Sequence, residues 1–299
     1  MQQLLLHVCD LRITGHLQKL NHPLFIINNF FPINSYLTIF IVTVPHLKIT
    51  FLGTGTSTGV PMVACNCEVC TSADPNDTRL RSSIMVQSVS TTIVVDATPD
   101  FRYQMLREHV KHIDAILITH SHKDHIAGVD DTRPFQFLSN IPTEIYGNKM
   151  SLEGVRNEIP YAFGQLKYPG IPKVNLHEVS LAPFSIGDIP VIPILVWHYK
   201  MPVFGFRFGN FTYITDANRI DDTEKKKIMG SEILVLNALR NEPHISHFTL
   251  QQAIDMVKEL KIPKAYLTHI SHQLGLHRAV NALLPGNIEL AYDGLKIET

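Results

Sequence analysis

Four potential metal ligands crowd into six residues near the middle of the chain: His120, His122, Asp124 and His125, within the segment THSHKDHIAG. Neutral imidazole and carboxylate together bind zinc and, with more oxygen ligands, manganese or iron. If the loop keeps extended geometry, His120 and His122 point the same way, because strand side chains repeat every second residue. Asp124 and His125 can then turn towards a second ion. The alternative is a solvated, histidine-rich loop, which the combination of all four groups disfavours.

Three further candidate ligands lie where downstream apolar runs end. His198 follows VIPILVW, Asp216 follows FTYIT, and His269 follows KAYLT. Each of these residues alone could equally be a loop or core residue. Their shared position at the ends of predicted strands is what makes them candidates for the same metal centre.

Cysteine spacing indicates a separate site. Cys65, Cys67 and Cys70 form a C-x-C-x2-C loop, and a tetrahedral structural zinc usually takes four nitrogen or sulfur ligands. His272 is a candidate for the fourth ligand, because it lies three residues past His269 and could turn away from the other metals. The alternatives are reduced buried thiols, or a disulfide with one free cysteine.

The loop from His120 to His125 resembles the His-x-His-x-Asp-His signature of the metallo-β-lactamase superfamily, and the apolar segment DAILIT precedes it as a strand should. Residues 47–299 are similar to one branch, the PhnP-like phosphoribosyl cyclic phosphate phosphodiesterases. The segments that carry this likeness, in family order, are LKITFLGTGTSTGVPMVACNCEVC, RLRSSIMV, DATPDFRYQML, DDTRPF, SHFTL and THISHQLGLH.

The resemblance implies an α/β fold, the four-layer αββα metallo-β-lactamase sandwich, with two divalent metal ions (zinc or manganese, or iron) and one structural zinc. One metal would be held by His120, His122 and His198, the other by Asp124, His125 and His269, with Asp216 bridging them. The structural zinc would be held by Cys65, Cys67, Cys70 and His272.

The expected chemistry is hydrolysis by a metal-bridging hydroxide, because two nearby ions activate water and polarise a phosphoryl or carbonyl oxygen. A proton donor is also expected for the leaving group, and histidine suits it because its pKa lies near neutral pH. The resemblance places a catalytic histidine at His247, and it adds Asp124 to the catalytic residues. His244 is the local alternative, and His247 could instead be a structural histidine before a helix.

These features together predict a dinuclear metal-dependent phosphodiesterase acting on a small phosphodiester, including a cyclic one such as a phosphoribosyl cyclic phosphate. The alternatives are a carbonyl-centre hydrolase for a thioester, lactone or β-lactam on the same metals, and a non-catalytic metal-binding scaffold. A net charge of −1 gives no basic surface for nucleic acid, so a small anionic substrate is the expected partner. Related enzymes are often dimers, which leaves a homodimer open.

Four arginines in family-like segments could either neutralise a phosphodiester or pair with nearby aspartates. The second role is favoured for each of them, so none is assigned to catalysis. The arginines are Arg79, Arg81, Arg102 and Arg133, and the candidate partners are Asp96, Asp100, Asp130 and Asp131.

Apolar periodicity predicts strands alternating with helices in two similar halves. The clearest helix is 250–261, where Thr249 and Gln252 form a candidate capping box, and another is expected over 100–109. The predicted strands are 47–52, 83–86, 91–96, 115–119, 191–196, 204–208, 211–215, 232–237 and 264–268.

Residues 1–46 lie outside the family-like region, so 47–299 is predicted to be a single hydrolase domain. The apolar stretch 24–44 approaches membrane-spanning length, but its centre carries Asn28, Asn29 and Pro32, so no stable membrane insertion is expected. Three explanations are open: a non-native upstream extension, a poorly ordered or loosely docked arm, and a weak anchor. Reduced thiols favour the cytoplasm.

We expect deletion of residues 1–46 to leave folding and activity unchanged, because the family-like domain begins at Leu47. Thermal unfolding and turnover of the shortened chain would check this. A collapse in its melting temperature would show that the extension is a structural part of the domain.

Overall fold

The computed structural model describes residues 46–165 and 169–299; the predicted N-terminal extension therefore lies, apart from His46, outside the described residues. Two seven-stranded sheets form the centre of the molecule. The first sheet contains β1 (Lys48–Gly53), β2 (Ser83–Gln87), β3 (Thr92–Val95), β4 (Ala115–Leu117), β5 (Thr143–Gly147), β6 (Val174–Glu178) and β14 (Lys296–Glu298). The second contains β7 (Phe184–Ile186), β8 (Ile189–His198), β9 (Met201–Phe208), β10 (Phe211–Tyr213), β11 (Ile233–Asn237), β12 (Lys264–Thr268) and β13 (Ile288–Leu290).

The two sheets share one pattern of strand directions. The first sheet has the order β14-β1-β2-β3-β4-β5-β6 and is parallel from β3 to β6. The second has the order β13-β12-β11-β10-β9-β8-β7 and is parallel from β10 to β13. The prediction of two similar halves is therefore confirmed. Parallel strands end at one edge of each sheet, where α/β folds commonly place their ligands.

Helices cover the outer face of each sheet. On the first sheet, Phe101 and Val155 pack into a core with Ile116, and on the second, Val257 packs with Leu267. A third core fills the space between the sheets, so the predicted αββα sandwich is confirmed. The helices are α1 (Phe101–Arg107), α2 (Lys123–Ile126), α3 (Arg133–Ser139), α4 (Lys149–Glu158), α5 (Pro160–Phe163), α6 (Asp222–Ile228), α7 (Leu250–Glu259) and α8 (His277–Asn281).

None of the helices in the described ranges is both long enough and apolar enough to cross a lipid bilayer.

Local sequence signals set the boundaries of α7. The Thr249 hydroxyl accepts from the Gln252 amide at 3.2 Å, and the Gln252 side chain accepts from the Thr249 amide at 2.9 Å, which confirms the capping box. The helix ends at Glu259, two residues earlier than predicted, and Lys261 just beyond it adopts a left-handed backbone with φ of 54°. Strand β12 has the predicted bounds.

Five strands were not predicted: β5, β6, β7, β13 and β14. Each has only three to five residues, and none of them has a long apolar run. Four of the five are the edge strands of the two sheets, where one flank has no paired neighbour among the described residues, and β5 lies next to an edge strand.

A buried arginine connects the two halves near the ends of their strands. Arg79 donates to the Thr54 hydroxyl at 2.8 Å, to the Ala291 carbonyl at 2.6 Å and to His277 Nδ1 at 3.0 Å. Thr54 follows β1 of the first sheet, whereas Ala291 follows β13 of the second. Asp293 and Asp77 lie close enough to favour the charged guanidinium, although burial lowers the pKa of Arg79 to about 10. The arginine therefore has a structural role.

We expect Arg79→Met to lower the free energy of unfolding by about 3 kcal/mol, because three buried acceptors lose their donor. That corresponds to a fall in melting temperature of about 6 to 12 °C for a domain of this size. Differential scanning calorimetry would measure it, with Arg102→Met as the matched control, because Arg102 is exposed on α1. Equal effects of the two substitutions would contradict this role.

Candidate metal centre

The histidine-rich loop begins where β4 ends against the second sheet. The Thr119 carbonyl accepts a hydrogen bond from the Phe204 amide of β9 at 3.0 Å, which fixes the start of the loop. His122 keeps an extended backbone at the N-cap of α2, and the rings of His120 and His122 lie 4.6 Å apart. The chain then turns into α2, whose single turn carries His125. The predicted change of direction within the loop is therefore present.

The structure brings all seven predicted ligands of the dinuclear site together. His198 ends β8, Asp216 lies beyond β10 and His269 follows β12. Within each group described next, the potential ligand atoms lie within 4.8 Å of one another. The groups are His120 with His122 and His198, Asp124 with His125 and His269, and His120 with His125 and Asp216.

Three of the histidines are oriented through their Nδ1 atoms. His125 Nδ1 lies 2.7 Å from Asp96 Oδ2, His198 Nδ1 donates to the Ser246 carbonyl at 2.8 Å, and His120 Nδ1 lies 3.0 Å from the Thr119 hydroxyl. A carbonyl can only accept, so Nδ1 of His198 carries the proton and its Nε2 lone pair faces the centre. The Nε2 atom of His120 is buried and has no hydrogen-bond partner among the described residues, and that of His125 is buried beside two carboxylates. These nitrogens fit a metal ion.

The electrostatics of the centre are dominated by carboxylates around His125. Its Nε2 lies 3.1 Å from Asp124 Oδ2 and 3.3 Å from Asp216 Oδ2. Burial opposes a charge on His125, but the neighbouring carboxylates Asp124, Asp96 and Asp216 outweigh it and hold its pKa well above the usual value. Burial lowers the pKa of His120 and His269, which favours the neutral imidazole that a metal requires. His120 and His269 therefore offer neutral nitrogens, whereas His125 lies in a concentration of negative charge.

Asp96 is the residue of this centre that the sequence reasoning missed. The sequence makes Asp96 a candidate partner for an arginine, but this aspartate is fully buried after β3 and contacts His125 instead. The Thr119 amide and hydroxyl each donate to its carboxylate at 2.8 Å, which fixes its orientation. A carboxylate behind a metal-binding histidine fixes the tautomer and raises ligand basicity. A sign of this role in the sequence is that Asp96 directly follows the apolar run TTIVV, as the predicted ligands follow theirs.

His247 lies beside the predicted ligands. Its ring centre is 4.5 Å from that of His198 and 4.8 Å from that of His269, and its Nδ1 lies 3.7 Å from Asp216 Oδ1. Burial, reinforced by His269, lowers its pKa to about 2. His244 is farther out, with its ring 5.1 Å from that of His247 and its Nδ1 accepting from the Ser246 amide at 3.3 Å.

The cysteine loop and His272 form a second cluster. His272 Nδ1 lies 3.4 Å from Cys65 Sγ and 3.2 Å from Cys67 Sγ, and the Met62 amide donates to Cys70 Sγ at 3.3 Å. The four ligand atoms lie within 4.8 Å of one another, as a tetrahedral site requires. The hydrogen bond from His272 lowers the pKa of Cys67 to about 6. None of these three thiols is in a disulfide, which excludes that alternative for the described cysteines.

Two of the remaining arginines pair locally with aspartates, as expected. Arg81 Nη1 lies 3.1 Å from Asp100 Oδ1, and Arg133 Nη2 lies 2.6 Å from Asp130 Oδ2. These two guanidinium groups therefore stabilise loops around the first sheet.

Comparison with known proteins agrees with this architecture. The model of the beta-lactamase superfamily domain matches residues 91–270. A crystal structure described as a new diphosphatase from the PhnP family is 40% identical, with a TM-score of 0.80, over 85% of this chain and 97% of that chain. Zinc-bound PqqB from Methylobacterium extorquens shares the fold at 19% identity, with a TM-score of 0.66, over 84% of this chain and 100% of that chain.

Among curated proteins, an octanoyltransferase of Porphyromonas gingivalis is 36% identical over 84% of this chain but only 51% of its own length. A coenzyme PQQ synthesis protein B of Methylobacterium radiotolerans is 32% identical over 36% of this chain and 40% of its own length. The chain thus spans about half or less of these curated relatives. The histidines and aspartates converge at the strand ends of a metallo-β-lactamase fold. The chain belongs to the beta-lactamase superfamily and, within it, to the PhnP family.

We expect Asp96→Asn to weaken divalent-metal affinity about 10- to 100-fold, because His125 loses the carboxylate that orients it. Competition against a chromophoric chelator would measure this. Asp114→Asn is the matched control, because Asp114 is also hydrogen-bonded near β3 but at the opposite end, where it accepts from the Thr92 amide. Unchanged affinity in the Asp96 variant would contradict the role of this contact.

Proposed function

We propose that this protein is a dinuclear metal-dependent phosphodiesterase that hydrolyses a small phosphodiester, including a cyclic one such as a phosphoribosyl cyclic phosphate. The observation that carries the proposal is that Asp216 lies within ligand distance of residues from both proposed ligand sets, and that His247 groups with Asp216 and His198. Asp216 approaches both His125 and His269, the latter at 3.2 Å from Nε2 to Oδ1. Because Asp216 groups with His120 of the first ligand set and with His125 of the second, its carboxylate would be placed to bridge two ions.

The two ligand sets differ in their donor atoms, which supports two separate ions. His120, His122 and His198 would hold the first ion through nitrogen alone. Asp124, His125 and His269 would hold the second with an added oxygen ligand. Two divalent ions at such a site supply a nucleophilic hydroxide at neutral pH and polarise the oxygen of the bound substrate. Zinc, manganese and iron all suit these ligands.

His247 is the proposed proton donor to the leaving oxygen. Its contact with Asp216 and its position beside the rings of His198 and His269 support this role. Protein groups alone favour its neutral form, but an anionic phosphoryl group beside the ring would raise its pKa and favour protonation. Asp124 is the proposed second catalytic residue, because its carboxylate lies against His125 and helps to hold the second ion.

The cysteine cluster is the proposed structural zinc site, with Cys65, Cys67, Cys70 and His272 as ligands. The lowered pKa of Cys67 favours the thiolate that zinc binds. His272 lies three residues after His269, so one turn of chain would connect both proposed metal sites.

Similarity favours phosphorus over carbon as the reacting atom. The diphosphatase of the PhnP family is aligned over nearly its whole length at 40% identity. The octanoyltransferase is aligned over half of its length, so its acyl transfer could belong to the other half. That match still makes hydrolysis at an acyl carbonyl the second candidate function. A cytoplasmic location, a homodimer and the absence of a nucleic-acid partner are further parts of the proposal.

We expect His247→Ala to reduce turnover of a substrate with a poor leaving group by about 10² to 10⁴-fold while leaving the metal content unchanged. The physical reason is the loss of the proton donor without loss of a ligand. Turnover would be measured beside metal content by mass spectrometry, with Asp216→Ala as the comparison that loses both. Loss of metal in the His247 variant would reassign His247 as a ligand.

The substrate class is tested by assaying bis(p-nitrophenyl) phosphate, a dinucleoside diphosphate, a chromogenic thioester and a β-lactam with the same metal-loaded protein. We expect hydrolysis of the phosphorus substrates and none of the acyl substrates. Hydrolysis of the acyl substrates alone would favour the second candidate. Full turnover by Asp216→Ala would contradict the dinuclear mechanism.

A further inference from the structure

A buried side chain holds the backbone next to the proposed bridging ligand. Asn237 is the last residue of β11 and is fully buried. Its side-chain oxygen accepts from the Ala217 amide at 3.0 Å, and its side-chain nitrogen donates to the Ala217 carbonyl at 3.0 Å. Ala217 directly follows Asp216 in the chain. The carboxamide of Asn237 therefore fixes the backbone immediately beyond Asp216.

These two hydrogen bonds continue the connection between β10 and β11 after their backbones stop pairing. The last paired residues are Tyr213 and Val235, and the Ile214 amide still donates to the Val235 carbonyl at 2.9 Å. Two residues further along β11, the Asn237 side chain bonds to both backbone groups of Ala217. The asparagine thus takes over from strand pairing at the point where the chain enters the metal centre.

Packing within β11 gives no reason for a polar residue at this position. Strand side chains alternate between two faces, so Asn237 lies on the same face as Val235, which belongs to the core between the sheets. A buried amide group is unfavourable unless its polar atoms are hydrogen-bonded, and both polar atoms of Asn237 bond to Ala217. The contact with Ala217 therefore explains why an asparagine ends an otherwise apolar strand.

The same backbone group connects Asn237 to the segment that carries His247. The Ala217 carbonyl also accepts from the Phe248 amide at 2.8 Å, and His247 directly precedes Phe248. The Phe248 carbonyl in turn accepts from the amide of Leu239, two residues after Asn237, at 3.0 Å. Asn237 and Ala217 together therefore hold the segments of the proposed bridging carboxylate and of the proposed proton donor.

The contacts of Asp216 depend on this backbone position. Its Oδ2 lies 3.3 Å from His125 Nε2, and its Oδ1 lies 3.7 Å from His247 Nδ1. The Thr215 hydroxyl donates to Oδ2 at 2.8 Å, which fixes the rotation of the carboxylate. Because Asp216 is joined directly to Ala217, a shift of Ala217 would change these distances together.

We propose that Asn237 is a positioning residue of the metal centre, which sets the place of Asp216 and its distance from His247 by holding Ala217. It acts through the backbone of Ala217 and not by contact with a metal or a substrate. The part that concerns Asp216 requires only that the centre binds divalent ions. The part that concerns His247 rests on the proposed phosphodiesterase function.

Three variants of the full chain separate this role from a general loss of stability. Asn237→Leu removes both hydrogen bonds with little change in side-chain size, whereas Asn237→Asp keeps the acceptor for the Ala217 amide. Thr212→Val is the matched control. Thr212 is also fully buried, in the middle of β10, and its hydroxyl bonds at 2.7 Å to that of Ser231, before the start of β11.

The first measurement is the dissociation constant for Mn²⁺, from the electron paramagnetic resonance signal of the free ion, beside the melting temperature. Mn²⁺ is the probe because it prefers nitrogen and oxygen ligands over the thiolates of the cysteine cluster. The second measurement gives kcat and KM at saturating Mn²⁺ for two substrates. Bis(p-nitrophenyl) phosphate releases a phenolate that needs no proton, whereas uridine 2′,3′-cyclic phosphate releases an alkoxide.

We expect Asn237→Leu to raise the Mn²⁺ dissociation constant about 10-fold, because the bridging carboxylate is displaced. At saturating Mn²⁺, kcat for the uridine substrate should fall about 10²-fold with little change in KM, because the proton donor is misplaced. The fall in kcat for bis(p-nitrophenyl) phosphate should be smaller. Asn237→Asp should lie between wild type and Asn237→Leu, and Thr212→Val should lower only the melting temperature.

Wild-type Mn²⁺ affinity in folded Asn237→Leu, or an equal loss of affinity in Thr212→Val, would overturn the inference. If Asn237→Leu does not fold, the comparison of Asn237→Asp with Thr212→Val decides in the same way. Equal losses of kcat on both substrates would contradict the effect on His247. If the wild-type protein hydrolyses neither substrate, the proposed function fails, whereas the Mn²⁺ affinities still decide whether Asn237 positions Asp216.

Discussion

Buried negative charge is the constraint on which the centre of this molecule depends. Asp96, Asp124 and Asp216 surround His125, and a single imidazolium cannot balance three carboxylates that are largely removed from water. Divalent ions would supply the missing positive charge and, by displacing the proton of His125, would bind its Nε2 beside the unpartnered Nε2 of His120. Cations bound at this site would therefore stabilise the folded chain.

The double-sheet architecture is what makes that concentration of charge possible. Its three cores hold the two sheets and their outer helices, so the loops at the strand ends can carry polar groups. The amide of Phe204 in the second sheet bonds to Thr119 in the first, directly beside His120. Arg79 makes another connection between the halves near the strand ends. The ligands from both halves are consequently fixed relative to each other by backbone and buried polar contacts.

Sequence patterns predicted the features of this structure that depend on residues close together in the chain. The spacing of His120, His122 and His125 and the capping box at Thr249 follow from strand and helix geometry over a few residues. The strand ends at His198 and His269 were predicted because long apolar runs precede them. Their grouping into two ligand sets came from the family resemblance and could not follow from periodicity.

The features that were missed depend on tertiary contacts. Asp96 belongs with His125 only because β3 and β4 are neighbours in the sheet, and no short pattern expresses that pairing. The short edge strands, such as β7 and β14, owe their conformation to partners far away in the chain. The Asn218 side chain likewise accepts from the Tyr199 amide and donates to the Ile245 carbonyl, and these two segments come together only on folding.

The backbone of His269 bears on how the metal preference of this centre could be redesigned. With a φ of 55°, this residue occupies a left-handed region that asparagine and aspartate tolerate better than glutamate or cysteine do. Replacement of His269 by aspartate is therefore sterically practical, and it would give a metal ion held there a harder coordination sphere with more oxygen ligands. His198, at the end of a regular strand, allows a wider choice of replacements. Substitutions that favour softer metal ions are thus easier to introduce at His198 than at His269.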